Sequence, residues 1–314
     1  MPAAADRTQT PVALLALGQD TARAVTGPGC DLTYAELRRQ VAAYADGCPP
    51  GQRVGVVSTD PVEILVAVLG ANAAGACPVV VDPTWPSGQR TGALRTAGVG
   101  TMPAAGSGWI GFTSGSAGTP RPIARTAASW TESFPPVSDL TGIGAGHRVL
   151  VGGALTSSLF LFGALHALWA CAHLLLPGRW DPDRLPPADI AHCVPAMLDD
   201  LTSARTPPAT VICAGAALPG RVATAASTRG IRILEYYGAT ELSFVAWRDA
   251  AGRLLPFPGV DLRIRADEIW ARSPYLATGY ASPTVIGPLR RDAEGFATVG
   301  DLGRRTPDGA LTVL

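Results

Sequence analysis

The sequence predicts an α/β protein with two layers built on parallel sheets, followed by a small β-rich part expected to form a distorted barrel. Up to about residue 242, apolar strand-like runs alternate with helix-like runs, an order typical of parallel sheets. This alternation starts again after a Gly/Ser/Thr-rich stretch near residue 111. Beyond residue 243 the helix patterns disappear, and short alternating stretches are separated by Gly-Pro turns. We therefore expect three segments, 1–110, 111–242 and 243–314.

The first segment contains a helix start signal. In "LTYAELRRQVAAYADGC", Thr33 precedes an amphipathic run and Glu36 follows three residues later, which is the pattern of a capping box. Strand-like "RVGVVS", helix-like "PVEILVAVLGANAAGA" and the buried strand "CPVVVDP" come next. This order of strand, helix and strand predicts the first parallel layer.

The second segment repeats these signals, and the third does not. Strand and helix patterns alternate in "HRVLVGGA", "LFLFGALHALWACA", "HLLLPG", "DIAHCVPAMLDDLTSA", "ATVICAG", "GRVATAAST" and "IRILEYYG". From about Ser243, only "VAWRD", "VDLRIRADEIWARS" and "FATVG" show a regular pattern, and it is that of strands. We expect a second α/β layer and then a β-rich part without helices.

Composition excludes several kinds of chemistry. The 314 residues carry no net charge, so no global field favours nucleic acid or an anionic membrane. All 25 basic residues are arginines. Without lysine, the chain has no side chain that could form a Schiff base or clamp phosphate as an ammonium.

Cysteine usage and hydropathy bear on the compartment. The six cysteines form no C-x-x-C pair and no zinc spacing with the four histidines, so we expect buried thiols in the reducing cytoplasm. "VALLALG" near the start lacks a convincing cleavage site, and secretion is not expected. The stretch 149–178 has no charged residue, but serines, histidines and glycines interrupt it. This favours a buried helix with flanking strands over a membrane span.

The stretch "FTSGSAGTPRP", residues 112–122, is suited to wrap an anion. Its glycines let backbone N–H groups converge, and its hydroxyl side chains add donors. It matches neither the kinase-type phosphate loop nor the nucleophile elbow of hydrolases, and the nearby G-x-G-x-x-G at 106–111 does not connect a strand to a helix. Taken alone, the stretch is also compatible with a solvated turn.

Two further stretches favour a binding site. "EYYGATE", residues 235–241, directly follows strand-like "IRIL" and so lies at a strand end, where open α/β sheets bind ligands. In "VGDLGRRTPDG", residues 299–309, Asp301 lies in a turn between short strands and is well placed to accept hydrogen bonds from a diol.

These three stretches, in this order, resemble the signature motifs of the adenylate-forming superfamily. That superfamily comprises acyl-CoA synthetases, aryl-acid ligases, luciferases and the adenylation domains of peptide synthetases. Weaker similarities also occur in order, in "VPAML" at 194–198, "CAGAALP" at 213–219 and "PYLATGYA" at 274–281. The resemblance spans roughly residues 30–311.

The resemblance implies which residues hold the phosphates of ATP. The loop residues concerned are Thr113, Ser114, Gly115, Ser116, Gly118 and Thr119. Arg121 stands where the family has a lysine and Pro122 where it has a glycine. Arg121 keeps the positive charge, with a planar fork in place of a point charge, and the proline stiffens the loop.

The resemblance also implies the remaining site residues. Tyr237 would stack on adenine and Asp301 would accept both ribose hydroxyls. Thr240 would contact the α-phosphate, and Glu241 would coordinate Mg²⁺. The nucleotide-binding set also includes Gly215, Ala216 and Gly238.

The implied reaction is attack of a carboxylate on the α-phosphorus of ATP, which gives an acyl-adenylate and pyrophosphate. The implied acceptor is a thiol, either of coenzyme A or of a carrier protein. The stretch "GGALTSSLFLFG" has no acidic residue to pair with an ammonium group, so we expect a fatty or aryl acid, not an α-amino acid. The same stretch places Ser157 and Ser158 where many acyl-CoA ligases have an aromatic-histidine pair.

Two departures from the family open alternatives. The part before the phosphate loop is shorter than usual, and "ALTVL" stands where the family's small C-terminal domain, with its lysine, would begin. A catalytically impaired module that binds nucleotide or acyl-adenylate is therefore the alternative to a ligase. A serine hydrolase using Ser114 or Ser116 with a histidine is a further possibility.

Overall fold

A computed structural model describes residues 11–103, 106–113 and 120–314. It confirms the α/β class, because the strands form two large sheets of mainly parallel order with helices packed against them. The phosphate-loop residues Ser114, Gly115, Ser116, Gly118 and Thr119 lie outside the described residues.

The amino-terminal part begins with a 3-10 helix at Pro11–Leu17. The elements that follow are β1 (Arg23–Gly27), β2 (Cys30–Thr33), α1 (Tyr34–Asp46), β3 (Arg53–Val56), α2 (Pro61–Ala73), β4 (Cys77–Val80) and α3 (Ser87–Thr96). The predicted capping box is confirmed at the start of α1. The Thr33 hydroxyl accepts from the Glu36 N–H at 3.3 Å, and the Glu36 carboxylate accepts from the Thr33 N–H at 2.8 Å.

The middle part contains the phosphate-loop hairpin and the second α/β alternation. Its elements are β5 (Ser107–Thr113), β6 (Arg121–Thr126), α4 (Ala128–Thr131), α5 (Phe134–Thr141), β7 (Arg148–Val151), α6 (Ser158–Trp169), β8 (His173–Leu175), a 3-10 turn (Pro182–Arg184), β9 (Ile190–Cys193), α7 (Pro195–Ser203), β10 (Thr210–Cys213), α8 (Gly220–Thr228) and β11 (Arg232–Ala239). The alternation expected from the sequence is present.

The carboxyl-terminal part is strand-rich, and it contains no helix among its described residues. Its strands are β12 (Ser243–Arg248), β13 (Leu254–Pro256), β14 (Asp261–Arg265), β15 (Glu268–Arg272), β16 (Gly279–Tyr280), β17 (Arg290–Arg291), β18 (Ala297–Thr298), β19 (Gly303–Arg305) and β20 (Leu311–Val313). They form a four-stranded sheet, a two-stranded ribbon and additions to the larger sheets. The expected distorted barrel does not close in the described part of the chain, because these strands divide among separate open sheets.

Two sheets organise the molecule. The larger has nine strands in the order β13-β12-β11-β10-β9-β7-β8-β1-β2, and the smaller has five in the order β16-β6-β5-β4-β3. Strands β1 and β2 join the larger sheet through parallel pairing of β1 with β8, although they precede the smaller sheet in the chain. The sheets therefore draw strands from across the expected segment boundaries, and the division into three segments remains a prediction.

Helices α2 and α6 supply much of the apolar core. Most of their residues are buried, including Leu65 and Leu69 in α2 and Leu165 and Leu168 in α6. The stretch 149–178 forms strand, helix and strand, as expected. No helix among the described residues is both long enough and apolar enough to cross a membrane. All six cysteines are free thiols.

Candidate active site

The candidate site lies where the parallel strands of the larger sheet end. Strands β9, β10 and β11 run parallel, so their carboxyl ends meet at one edge. Gly215 follows β10 there, and its φ of +90° suits a residue without a side chain. Thr240 and Glu241 follow β11 at the same edge. Two cavities open around these residues.

The larger cavity has a volume of about 570 Å³ and a polar wall. It brings together six of the predicted site residues, namely Thr113, Arg121, Gly215, Thr240, Glu241 and Asp301. They come from the β5–β6 hairpin, two strand ends of the larger sheet and a carboxyl-terminal turn. The structure thus places distant parts of the sequence around one space, which we call the nucleotide-side cavity.

The hairpin positions the ends of the phosphate loop. In the β5–β6 register Thr113 lies opposite Arg121, so the loop residues between them begin and end at adjacent points. The Arg121 Nε–H donates to the Thr113 hydroxyl at 3.5 Å. The cationic side chain that replaces the family's lysine therefore lies at the wall of the nucleotide-side cavity.

Tyr237 and Asp301 contact each other directly. The Tyr237 hydroxyl donates to the Asp301 carboxylate at 2.6 Å. Burial and this bond to Asp301 both raise the pKa of Tyr237. Asp301 lines the nucleotide-side cavity, whereas Tyr237 is joined to it only through Asp301. The pair ties β11 to the carboxyl-terminal turn.

Glu241 is a buried carboxylate on the cavity wall, with only 5% of its surface exposed. Burial raises its pKa, while a backbone hydrogen bond, the charges of Arg121 and Arg125 and a hydrogen bond from Tyr280 act in the opposite direction. Its main-chain carbonyl accepts from the Ala277 N–H at 2.9 Å. The carboxylate is thus buried among cationic and donor groups.

The smaller cavity has a volume of about 280 Å³, and its wall combines aromatic rings with small and hydroxyl side chains. Its rings belong to Trp130, Phe162, Tyr236 and Phe244. They pack edge-on or tilted against one another, with Phe162 and Phe244 at 4.9 Å between centroids and Tyr236 and Phe244 at 4.4 Å. This space, called the acid-side cavity below, suits an apolar group of modest size.

The two cavities share part of their walls. The common residues are Ser157, Ser158, Gly215, Ala239 and Thr240. The Ser158 and Thr240 hydroxyls lie 3.0 Å apart within hydrogen-bonding distance. The two cavities therefore adjoin at these residues.

Gly238 and Ala216 differ in how they relate to these spaces. Gly238 lines the acid-side cavity, and a Cβ there would lie 2.0 Å from the Ser243 carbonyl oxygen, so only glycine fits. Ala216 follows Gly215 on the surface and lines neither cavity. Their roles in nucleotide binding remain predictions.

Several residues that line the cavities were not predicted from the sequence, among them Asp82, Trp85, Phe112 and Arg125. Asp82, Trp85 and Phe112 face the nucleotide side, and Trp85 packs edge-on against Phe112 at 5.4 Å. Asp82 and Trp85 follow the buried parallel strand β4, so the rule of strand ends could have found them. Arg125 lines the acid side, and no local pattern indicates it.

Comparisons with known proteins identify the family of this chain. The family model described as AMP-binding enzyme matches residues 15–104 and 109–281. An uncharacterized acyl-CoA ligase, YhfT of Bacillus subtilis, is 28% identical over 236 residues, which are 65% of this chain and 47% of that protein. Phenyloxazoline synthase MbtB of Mycobacterium sp. is 26% identical over 92% of this chain and 31% of its own length. The chain thus spans about half of the first relative's length, or less.

A solved structure supports the fold. O-succinylbenzoate coenzyme A synthetase from Bacillus subtilis, in complex with AMP, superposes with a TM-score of 0.85 at 17% identity. The match covers 98% of this chain and 78% of the other. Since the family model covers most of the chain, the protein belongs to the AMP-binding enzyme family.

Proposed function

We propose that this chain binds ATP and a carboxylic acid and joins them as an acyl-adenylate, for transfer to the thiol of coenzyme A or a carrier protein. The observation that carries the proposal is the shared wall between a polar cavity and an aromatic one. Such an arrangement brings the carboxylate of one ligand next to the α-phosphate of the other.

The proposed step needs no protein nucleophile. A carboxylate oxygen of the acid forms a bond to the α-phosphorus, and the bond from that phosphorus to the bridging oxygen of the β-phosphate breaks. The products are the acyl-adenylate and pyrophosphate. Thr240 lies at the shared wall and is the residue proposed to contact the α-phosphate, while Arg121 neutralises charge on the outgoing phosphates.

Asp301 and Tyr237 are proposed to hold the nucleoside. Asp301 offers a carboxylate that accepts hydrogen bonds from two ribose hydroxyls, and Tyr237 lies beside it to stack on adenine. The Tyr237 hydroxyl donates a hydrogen bond to one carboxylate oxygen of Asp301 at 2.6 Å. The ribose hydroxyls would therefore compete with this hydrogen bond or bind to the other oxygen.

Glu241 is the proposed Mg²⁺ ligand. Mg²⁺ takes hard oxygen ligands and is bound through one or two carboxylates together with substrate phosphates. Bound there, Mg²⁺ would neutralise phosphate charge. Glu241 fits this role as a buried acidic oxygen donor on the cavity wall.

The acid is proposed to be aryl or fatty and to lack an α-amino group. Its cavity has aromatic walls and a volume of about 280 Å³, which favours a compact aryl acid over a long alkyl chain. No aspartate or glutamate is found among the described residues that line it. A buried ammonium group would therefore have no carboxylate partner.

The nucleotide arm of the proposal is tested by calorimetry with AMP and with 3-phenylpropanoyl-sulfamoyl-adenosine, a nonhydrolysable acyl-adenylate mimic. We expect both to bind and to compete, with the mimic binding more tightly because it occupies both cavities. Failure of both compounds to bind would overturn the proposed function.

A catalytically impaired binding module is the second candidate, favoured by Arg121 and Pro122 at the positions where the family has lysine and glycine. The two candidates differ in acid-dependent exchange of labelled pyrophosphate into ATP. We expect exchange above background from a ligase, and binding without exchange from the impaired module.

A further inference from the structure

We propose that Arg125 selects the substrate by charge: its buried guanidinium on the wall of the acid-side cavity excludes acids that carry an ammonium group. This inference rests on the proposed function, since it concerns which acids enter that cavity. The proposal makes Arg125 a specificity-determining residue. It also gives a physical reason why the acid carries no positive charge on the part that enters the cavity.

Arg125 is a cation held away from water. It lies on β6, its side chain is 1% exposed, and it lines the acid-side cavity next to Trp130, whose ring centroid is 5.7 Å from the guanidinium carbon. Burial lowers its pKa to about 9, so it remains protonated at neutral pH. A charge is therefore present on the cavity wall under ordinary conditions.

The guanidinium is fixed by neutral oxygens. Its Nη2–H donates to the Thr240 carbonyl at 2.8 Å, and its Nη1–H donates to the Tyr275 carbonyl at 2.8 Å and to the Ser129 hydroxyl at 3.0 Å. None of these partners carries a negative charge. The side chain is held in one place, and its positive charge is not cancelled by a direct ion pair with them.

The surrounding charges leave the balance positive. Glu241 is the acidic group that acts on Arg125, and Arg291 adds a second positive charge. Glu241 lines the nucleotide-side cavity, where the charge of Arg121 also acts on it. The acid-side cavity itself has no carboxylate among its described lining residues. An ammonium group placed there meets a like charge with little water to screen it.

The test uses two ligands that differ at one position. 3-Phenylpropanoyl-sulfamoyl-adenosine and phenylalanyl-sulfamoyl-adenosine share the adenosine and the ring, and only the second carries an α-ammonium group. Calorimetry at pH 7 gives the ratio of their dissociation constants. We expect the wild type to bind the first compound about tenfold or more tightly than the second.

Arg125→Met removes the charge and should reduce this ratio to about threefold or less, because the like-charge repulsion is gone. Arg125→Lys keeps the charge and should keep the selection, even if the fold is weakened by lost hydrogen bonds. Arg125→Gln is the second neutral variant, since it retains donors for the carbonyl oxygens if the methionine variant fails to fold.

Arg53→Met is the matched control. Arg53 also bridges two backbone carbonyls, of Ala97 at 2.9 Å and Ala281 at 3.1 Å, but it lines neither cavity. We expect it to lower the melting temperature and to leave the ratio unchanged. This separates the loss of a structural bridge from the loss of the selecting charge.

Three results would overturn the proposal. If the wild type binds the ammonium compound more tightly, it does not select against ammonium groups. If a neutral Arg125 variant keeps the wild-type ratio of dissociation constants, the charge of Arg125 does not provide the selection. An Arg125→Lys variant that has lost the selection would also show that the charge does not provide it. If neither compound binds to the wild type, the proposed function itself fails, and this outcome is distinct from the three above.

Discussion

The two cavities differ in how their chemistry is built. The nucleotide-side cavity takes its polar groups from loops at strand ends and from a hairpin, including Asp82, Glu241 and Asp301. The acid-side cavity has four aromatic rings in its wall beside small and hydroxyl side chains, with the single charge of Arg125 among its described lining residues. If the proposed function holds, nucleotide binding and acid selection depend on separate residues that meet at the shared wall. Changes on one side should therefore leave the other side largely intact.

The largest effect on the nucleotide side is expected from Asp301→Ala. It removes the carboxylate proposed to accept two ribose hydroxyls, and hydrogen bonds to charged groups are worth about 1.5–3 kcal/mol each. We expect the dissociation constant of AMP to rise about 100-fold, measured by calorimetry.

Asp308→Ala is the control for this change. Asp308 lies in the same carboxyl-terminal stretch, bonds to Thr306 at 2.5 Å and lines neither cavity. It should leave AMP binding unchanged. Equal weakening by the two variants would argue against a ribose contact at Asp301.

Gly238→Ala tests the acid side through the backbone. The new Cβ would lie 2.0 Å from the Ser243 carbonyl oxygen, where β11 and β12 shift register, so the strands must move apart. Overpacking of this kind costs about 2–3 kcal/mol of unfolding free energy. Chemical denaturation measures the loss, and Gly88→Ala in α3, where a Cβ meets nothing within 4 Å, is the control expected to show none. A similar stability for both variants would contradict the expected clash.

The sequence was informative where local chemistry determines the structure. The capping box of α1, the strand and helix alternation and the placement of Thr240 and Glu241 after a parallel strand all follow from short patterns. Motif order then identified the family. Each of these signals lies within a few neighbouring residues.

The structure was needed where distant residues meet. The carbonyl partners of Arg125, on Thr240 and Tyr275, lie 115 and 150 residues further along the chain. The pairing of β1 with β8 likewise joins strands far apart in sequence, and the division of the carboxyl-terminal strands among separate open sheets has the same cause. Strand partners are chosen by long-range packing, which alternation alone does not encode.

Acid pH should act on the region behind the acid-side cavity. His166, in contact with Phe162 of the cavity wall, is buried, and burial lowers its pKa from 6.5 to about 3. The unfolded chain therefore binds more protons between pH 6.5 and about 3, and stability falls as the pH falls through this window. One such histidine lowers the free energy of unfolding at pH 5.5 by about 1 kcal/mol relative to pH 7.5.

His166→Gln isolates this contribution, since glutamine does not titrate in this range. Urea denaturation gives the free energy of unfolding at pH 7.5 and at pH 5.5. The decrease between these two pH values should be smaller in the variant by about 1 kcal/mol. An unchanged difference would mean that His166 does not carry the acid sensitivity.

The smallest effect is expected at the shared wall, where it should reach both cavities. Ser158→Ala removes a hydroxyl 3.0 Å from that of Thr240, and one neutral hydrogen bond contributes about 1 kcal/mol. We expect AMP and the acyl-adenylate mimic to lose affinity together, by about fivefold. Ser129→Ala, which removes a hydroxyl bound to Arg125 outside the shared wall, should leave AMP affinity unchanged. If Ser158→Ala weakened the binding of only one ligand, the two cavities would act independently at the shared wall, where the proposed reaction requires them to meet.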